Sequence, residues 1–321
     1  MKFGLILHQR RCFTAFAVLG ALLLTSASGS VGATPKPLTF VYSAAALQFR
    51  FFVIQSHFVQ AAADKAGGIK IIVDDGQNSA TKQTSDVEAA IAQHVDGIII
   101  SPLTVSTLVP ALKEAAAKNI PVVTIDREAK GAPTLAHVGA DNVAVGKVAA
   151  QFVVQRLHGK GTVVLLTGTP GASAAIDRTN GVMQVFKAAP GINVAFNQTA
   201  QFDRATAISV TEAALSRLPH VDAIVAENDD MALGAALALK AKNLTGKVVV
   251  TGADAIPDAL QAIASGSLTA TVEQFGDKQA QQDVAILAAF VRNGVKPKQH
   301  DTFITPALIT KENLSSAVPK K

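Results

Sequence analysis

From Leu38 onward, short β-branched runs alternate with alanine-rich stretches of helical length, and this alternation constrains the fold more than any other feature of the chain. Continuous apolar runs suit strands buried on both faces, and parallel strands need a long crossover between them, usually a helix. The runs are LTFVYS from Leu38, IKIIVDD from Ile69, GIIIS from Gly97, PVVTI from Pro121, GTVVLLTG from Gly161, INVAFNQ from Ile192, DAIVAEN from Asp222 and KVVVTGAD from Lys247. The stretches between them predict helices near 52–65, 81–93, 106–118, 142–157, 173–188, 205–218, 230–242 and 257–264. The class is therefore α/β, doubly wound and parallel, with its strands in two groups of four.

LAHVGADN from Leu135 separates the two groups, and LTATVEQF from Leu268 follows the second, ahead of a helix predicted over 278–293. Both segments read as crossovers between two similar lobes. They divide the chain into an N-terminal lobe of 34–140 plus 275–304 and a C-terminal lobe of 141–274 plus 305–321. No Pro/Ser linker joins the halves, so the lobes are expected to share several crossing strands with a cleft between them.

The first 33 residues have the layout of a signal peptide: Lys2, Arg10 and Arg11 form a basic start, Phe13 to Leu24 is apolar, and small residues lead to a cleavage point after Ala33. The apolar run falls short of the roughly 20 residues a membrane span needs, so an uncleaved anchor is the weaker reading. Arg10-Arg11-Cys12-Phe13 is a loose twin-arginine pattern, read here as an ordinary basic n-region. Cys12 is the only cysteine and precedes the apolar run; removing the leader leaves no thiol for a disulfide or a cysteine metal site. The leader also holds three of the 29 bases and none of the 24 acids, so the net charge falls from +5 to +2. With no basic stripe interleaved with aromatics, no nucleic-acid partner is expected.

In open parallel sheets, ligands bind beyond the carboxyl ends of the strands. The distinctive polar and aromatic residues of this chain recur there: Phe51 and Phe52 after the first strand, Asp126-Arg127 after PVVTI, Phe202 after INVAFNQ, Asn228 ending DAIVAEN and Asp254 ending KVVVTGAD. Arg178 lies in the helix after GTVVLLTG, and Gln274 in the late crossover. Each has a structural explanation as well. Asp126-Arg127 suits a solvated turn, Arg178 suits an exposed ion pair with Asp177, Asn228 suits a helix N-cap, and one of the adjacent Phe51 and Phe52 suits the core.

Seven strings in register resemble the periplasmic ribose-type sugar-binding proteins of ABC importers, a group with the type I periplasmic binding fold. They are PVVTIDREA, ADNVAVGK, GASAAIDR, QFDR, AENDDMALGA, TGADAIPDA and ATVEQF. The resemblance implies that Asp126, Arg127, Arg178, Asn228, Asp254 and Gln274 hydrogen-bond a small sugar or polyol while Phe51, Phe52 and Phe202 pack on its ring. It also implies a monomer in the periplasm that docks on a membrane permease, with ATP hydrolysed by a separate subunit and no cofactor, metal or catalytic residue of its own. A sugar hydroxyl both donates and accepts, which suits carboxylates, guanidinium forks and amides. Where the family carries Asn-Pro ahead of the paired aromatics, this chain has Phe49-Arg50, and Ala44, Ala45 and Ala46 precede them. That wall is more apolar than the family pattern and leaves a pentose, a deoxy- or methyl-sugar, a furanose or a short polyol open.

Two rival readings follow from the residues. A serine hydrolase would use Ser173, which follows a strand and precedes a helix, but Ala175 replaces the second glycine of a nucleophile elbow and no histidine forms a local signature. An exported sensor that feeds a chemoreceptor or sensor kinase would use the same fold and ligand. No G-x-G-x-x-G follows the first strand, and no Walker string is present to support a nucleotide enzyme.

Overall fold

In the computed structural model, residues 37–318 are described; the expected leader, Cys12 and the cleavage point fall outside them. The strands are β1 (Leu38–Ala44), β2 (Ile69–Asp75), β3 (Gly97–Ile100), β4 (Val122–Ile125), β5 (Ala136–Ala140), β6 (Gly161–Thr167), β7 (Ile192–Thr199), β8 (Ala223–Ala226), β9 (Val249–Thr251), β10 (Ala270–Glu273), β11 (Asp301–Ile304) and β12 (Ala307–Thr310). They form two six-stranded sheets, ordered β11-β5-β4-β3-β1-β2 and β12-β10-β9-β8-β6-β7. All neighbours are parallel except β10 and β12. Central runs such as Ile98, Ile99 and Ile100 are wholly buried, as continuous apolar strands covered on both faces must be.

The helices are α1 (Arg50–Ala66), α2 (Ala80–Ala92), α3 (Val109–Ala117), α4 (Asn142–Arg156), α5 (Ser173–Lys187), α6 (Arg204–Arg217), α7 (Asp229–Ala241), α8 (Pro257–Ser265) and α9 (Gly276–Asn293). Ser79, Asp141, Asp203 and Asn228 cap α2, α4, α6 and α7 through their side chains, each accepting an amide of the first turn. Helix α1 differs: its N-cap is Phe49, which has no oxygen to offer. Helix α3 begins later than the sequence suggests, because Thr104 and Thr107 bond each other through their hydroxyls and Pro110 opens the helix.

The fold is α/β, two lobes of doubly wound parallel sheet. The segments expected as crossovers prove to be strands β5 and β10, each completing a sheet, and the chain changes lobe in the short links after them. Between β5 and α4 it passes to the second lobe, where α4 packs on α5, β8, β9, β10 and β12; between β10 and α9 it returns, and α9 packs on α1, β3, β4 and β5. It crosses a third time between β11 and β12. These two four-residue strands carry no distinct apolar run, which is why the sequence pattern passes over them. Helices α4 and α5 approach so closely that a Cβ at Gly146 would lie 2.1 Å from the Arg178 carbonyl oxygen.

Candidate functional site

One cavity lies at the carboxyl ends of the strands, between the lobes, and Phe51, Phe52, Asp126, Arg127, Arg178, Phe202, Asn228, Asp254 and Gln274 all line it. Phe49 and Ala174 complete the lining, and the empty space is about 300 Å³ with its open mouth included. Asp126 and Gln274 directly follow β4 and β10, while Asn228, Phe202 and Asp254 come two or three residues after β8, β7 and β9. Asp126, Phe202 and Asp254 have positive φ of 64°, 60° and 114°, a costly conformation for residues with a Cβ that is held where surrounding structure demands it. The Phe202 ring lies over Gly168, where a Cβ would come within 2.0 Å of Cζ, so this wall needs glycine.

From the first lobe, Asp126 and Arg127 are both buried, with Arg127 Nε 3.7 Å from Asp126 Oδ2. The solvated-turn alternative therefore fails. Ser101 donates to Asp126 Oδ2 at 3.4 Å, and Arg127 Nη1 donates to the Leu103 carbonyl at 3.4 Å, both long contacts. The Arg127 guanidinium sits between two rings, 5.1 Å from the centroids of Phe52 and of Phe202, and so joins one lobe to the other. Phe51 and Phe52 meet edge to face at 5.3 Å, and both reach the cavity. Both are also buried in the core cluster, so the core reading stands beside the cavity role: they open the first turn of α1, and the cavity lies beyond the helix end, so side chains about 100° apart both face it.

From the second lobe, Arg178 is buried and donates from Nε to Asn142 Oδ1 at 2.8 Å and from Nη1 to the Glu227 carbonyl at 2.5 Å. These bonds replace the exposed pair with Asp177. Its Nη1 also lies 3.9 Å from Asp254 Oδ1, which accepts from Gln274 Nε2 at 2.5 Å. Burial pushes the Asp254 carboxyl up to about 8, against the pull of Arg178. Burial likewise raises Asp126, opposed by Arg127 and Arg178. Asn228 is both cap and cavity wall: its Oδ1 accepts the Met231 amide at 2.9 Å and its Nδ2 donates to the Phe202 carbonyl at 3.1 Å.

Three buried atoms of the lining have no hydrogen-bond partner: Asp126 Oδ1, Arg127 Nε and Gln274 Oε1. An orphaned buried polar atom is costly, and this cluster of two acceptors and a donor fits a neutral polar ligand. The sequence reading missed the supports. Glu227 accepts from the Gly168 amide at 2.7 Å and from the Thr179 hydroxyl, and burial raises its carboxyl to about 7. Asn142 and Glu227 adjoin residues that the motif strings had already marked, but their inward direction is a property of the fold. Among the described residues, no group of three histidine, cysteine or carboxylate side chains is placed to hold a metal ion, and no helix is long and apolar enough to cross a membrane.

The description of a periplasmic binding protein domain matches residues 40–294, most of the chain. The chain belongs to the periplasmic binding protein family. This periplasmic binding protein is 38% identical over 275 residues to the ribose import binding protein RbsB of Bacillus subtilis, covering 83% of its own length and 88% of the relative's. It is 35% identical over 255 residues to the xylitol-binding protein of Mycolicibacterium smegmatis, covering 79% and 72%. The solved Caulobacter myo-inositol binding protein, bound to myo-inositol, superimposes with a TM-score of 0.83 at 35% identity, covering 88% of this chain and 97% of that one.

The lobes of this periplasmic binding protein also touch directly. Ser173 Oγ, the hydroxyl of the hydrolase reading, accepts the Glu128 amide at 2.9 Å, and the Val105 amide donates to the Gly171 carbonyl at 2.9 Å. Across the cleft, the Arg50 backbone amide at the start of α1 offsets part of the rise that burial imposes on the Asp230 carboxyl. His137, which lines a crevice with Ser173, turns Nδ1 to Thr124 Oγ1 at 3.0 Å and Nε2 toward Glu128 Oε1 at 4.0 Å. Its nitrogens are engaged away from the serine, and no Ser-His pair forms.

Proposed function

We propose that this periplasmic binding protein is exported, captures a small pentose-like sugar or polyol between its lobes, and delivers it to the permease of an ABC importer. The observation that carries the reading is the set of orphaned atoms, Asp126 Oδ1, Arg127 Nε and Gln274 Oε1, held beside phenyl rings from both lobes. In this reading Asp126, Arg127, Arg178, Asn228, Asp254 and Gln274 exchange hydrogen bonds with ligand hydroxyls, and Phe51, Phe52 and Phe202 cover the C–H faces of the ring. Two carboxyls set against two guanidinia limit the cost of burying charge around a neutral ligand. The relatives named for ribose, xylitol and myo-inositol support a ligand that is small, neutral and rich in hydroxyls.

Ligand that touches both lobes favours the closed form over the open one by its differential contacts. The links after β5, β10 and β11 serve as the hinge, and the bonds at Ser173 and Gly171 form as the cleft shuts. The closed form is the one offered to the permease. A thermal-shift screen of the protein from Thr34 onward, against pentoses, hexoses, deoxy-sugars, polyols and amino acids, tests the reading. Ligand at about 100 times its Kd adds roughly 2.7 kcal/mol of stability. A selective shift with a sugar or polyol is expected; a shift with amino acids alone would contradict the class.

A further inference from the structure

We propose that the site is built for a deoxy-sugar, one carrying a methyl or methylene where its parent has a hydroxyl, and that Phe49 selects it; the inference rests on the sugar-binding reading. The argument lies in how polar capacity is distributed around the cavity. Every orphaned polar atom of the lining belongs to Asp126, Arg127 or Gln274, which follow β4 and β10. The wall formed by the β1–α1 loop and the first turn of α1 offers the rings of Phe49, Phe51 and Phe52 and no side-chain donor or acceptor.

Behind those rings Ala44, Ala45 and Ala46 are buried, while the polar residues of the loop, Gln48 and Arg50, face outward. Of the backbone amides there, that of Phe49 is taken by the Ala46 carbonyl at 3.3 Å and that of Phe52 by the Phe49 carbonyl at 3.1 Å. A hydroxyl turned to this wall would lose its water and gain no side-chain partner, whereas a methyl or methylene would lose nothing and gain contact with the rings. Phe49, the N-cap of α1, is 5% exposed and lines the cavity, so it is the residue that excludes the hydroxyl.

Calorimetric titration of the processed protein with matched pairs tests this: D-fucose against D-galactose, L-rhamnose against L-mannose, and 2-deoxy-D-ribose against D-ribose. In at least one pair the deoxy member is expected to bind about tenfold tighter than its parent. Phe49→Asn, which supplies a donor and an acceptor, narrows or reverses that ratio, and Phe49→Leu preserves it. The wild-type ratio stands by itself should Phe49→Asn fail to fold. Parents that bind as tightly as their deoxy partners in every pair overturn the proposal. Binding of xylitol or myo-inositol with none of the pairs also overturns it, yet leaves the sugar-or-polyol reading in place. No binding by any carbohydrate or polyol overturns both.

Discussion

Arg178 is held by Asn142 and the Glu227 carbonyl inside the second lobe, whereas Arg127 has one long bond to Leu103 and two phenyl rings. Their substitutions should therefore separate. Arg127→Ala removes an orphaned donor and is expected to weaken ligand binding by about 2 kcal/mol with a smaller loss of stability in the empty protein. Arg178→Ala should lower both, by about 3 kcal/mol in stability, because Asp254 and the Glu227 carbonyl lose a buried partner. Chemical denaturation of the empty variants beside ligand titration separates the two outcomes. Gly168→Ala is expected to cost about 1–3 kcal/mol and to displace Phe202, read as weakened binding together with a lower Tm. At this scale the sequence marked all the lining residues except Ala174, and it noted Phe49 only as a departure. It marked them because seven strings resemble the ribose-type binding proteins and because most of these residues sit together at or near strand ends. The supports Asn142, Glu227 and Gly168 stayed hidden, since an amide, a buried carboxyl and a glycine acquire meaning only once a neighbouring helix or ring lies against them.

The N-terminus of helix α1 faces the cleft without a side-chain cap of its own, and the Arg50 amide there favours the charged form of Asp230 of α7, in the opposite lobe. A carboxylate near a helix N-terminus contributes up to about 1 kcal/mol, and here it is present only when the lobes meet. Asp230→Ala is thus expected to weaken ligand affinity roughly fivefold. Asp230 also binds Arg204 at 2.8 Å, so Arg204→Ala, which breaks that pair and keeps the carboxylate, should leave ligand affinity unchanged. Equal effects of the two substitutions would assign Asp230 to lobe stability instead of closure. Most elements were legible because their apolar runs are long, buried on both faces and punctuated by Ser79, Asp141 and Asn228 caps. Strands β11 and β12 were not, because their pairing at a sheet edge comes from the crossing chain and not from local pattern.

Across the whole molecule, burial leaves a pH signature. An unfolded carboxyl titrates near 4, whereas Asp254 is held at about 8 and Glu227 at about 7 by burial. The native state then retains protons that the unfolded chain has released, so stability falls as pH rises between them. His137, pulled down by burial to about 4 from 6.5, acts in the opposite sense, but only below pH 6.5. Between pH 6.5 and about 8 the empty protein should accordingly lose stability with rising pH, and Asp254→Asn should flatten that slope; an unchanged slope would remove Asp254 as its source. Two sheets with three crossings bring groups from both lobes to one cavity, and the central claim is that a neutral, hydroxylated ligand is bound there. The most direct test is calorimetric titration of the best sugar or polyol from the thermal screen into the wild type, Arg127→Ala and Phe202→Ala, one variant from each lobe. One-to-one binding by the wild type and at least about tenfold weaker binding by both variants is the predicted result. Full affinity in both variants would place the ligand elsewhere and contradict the account.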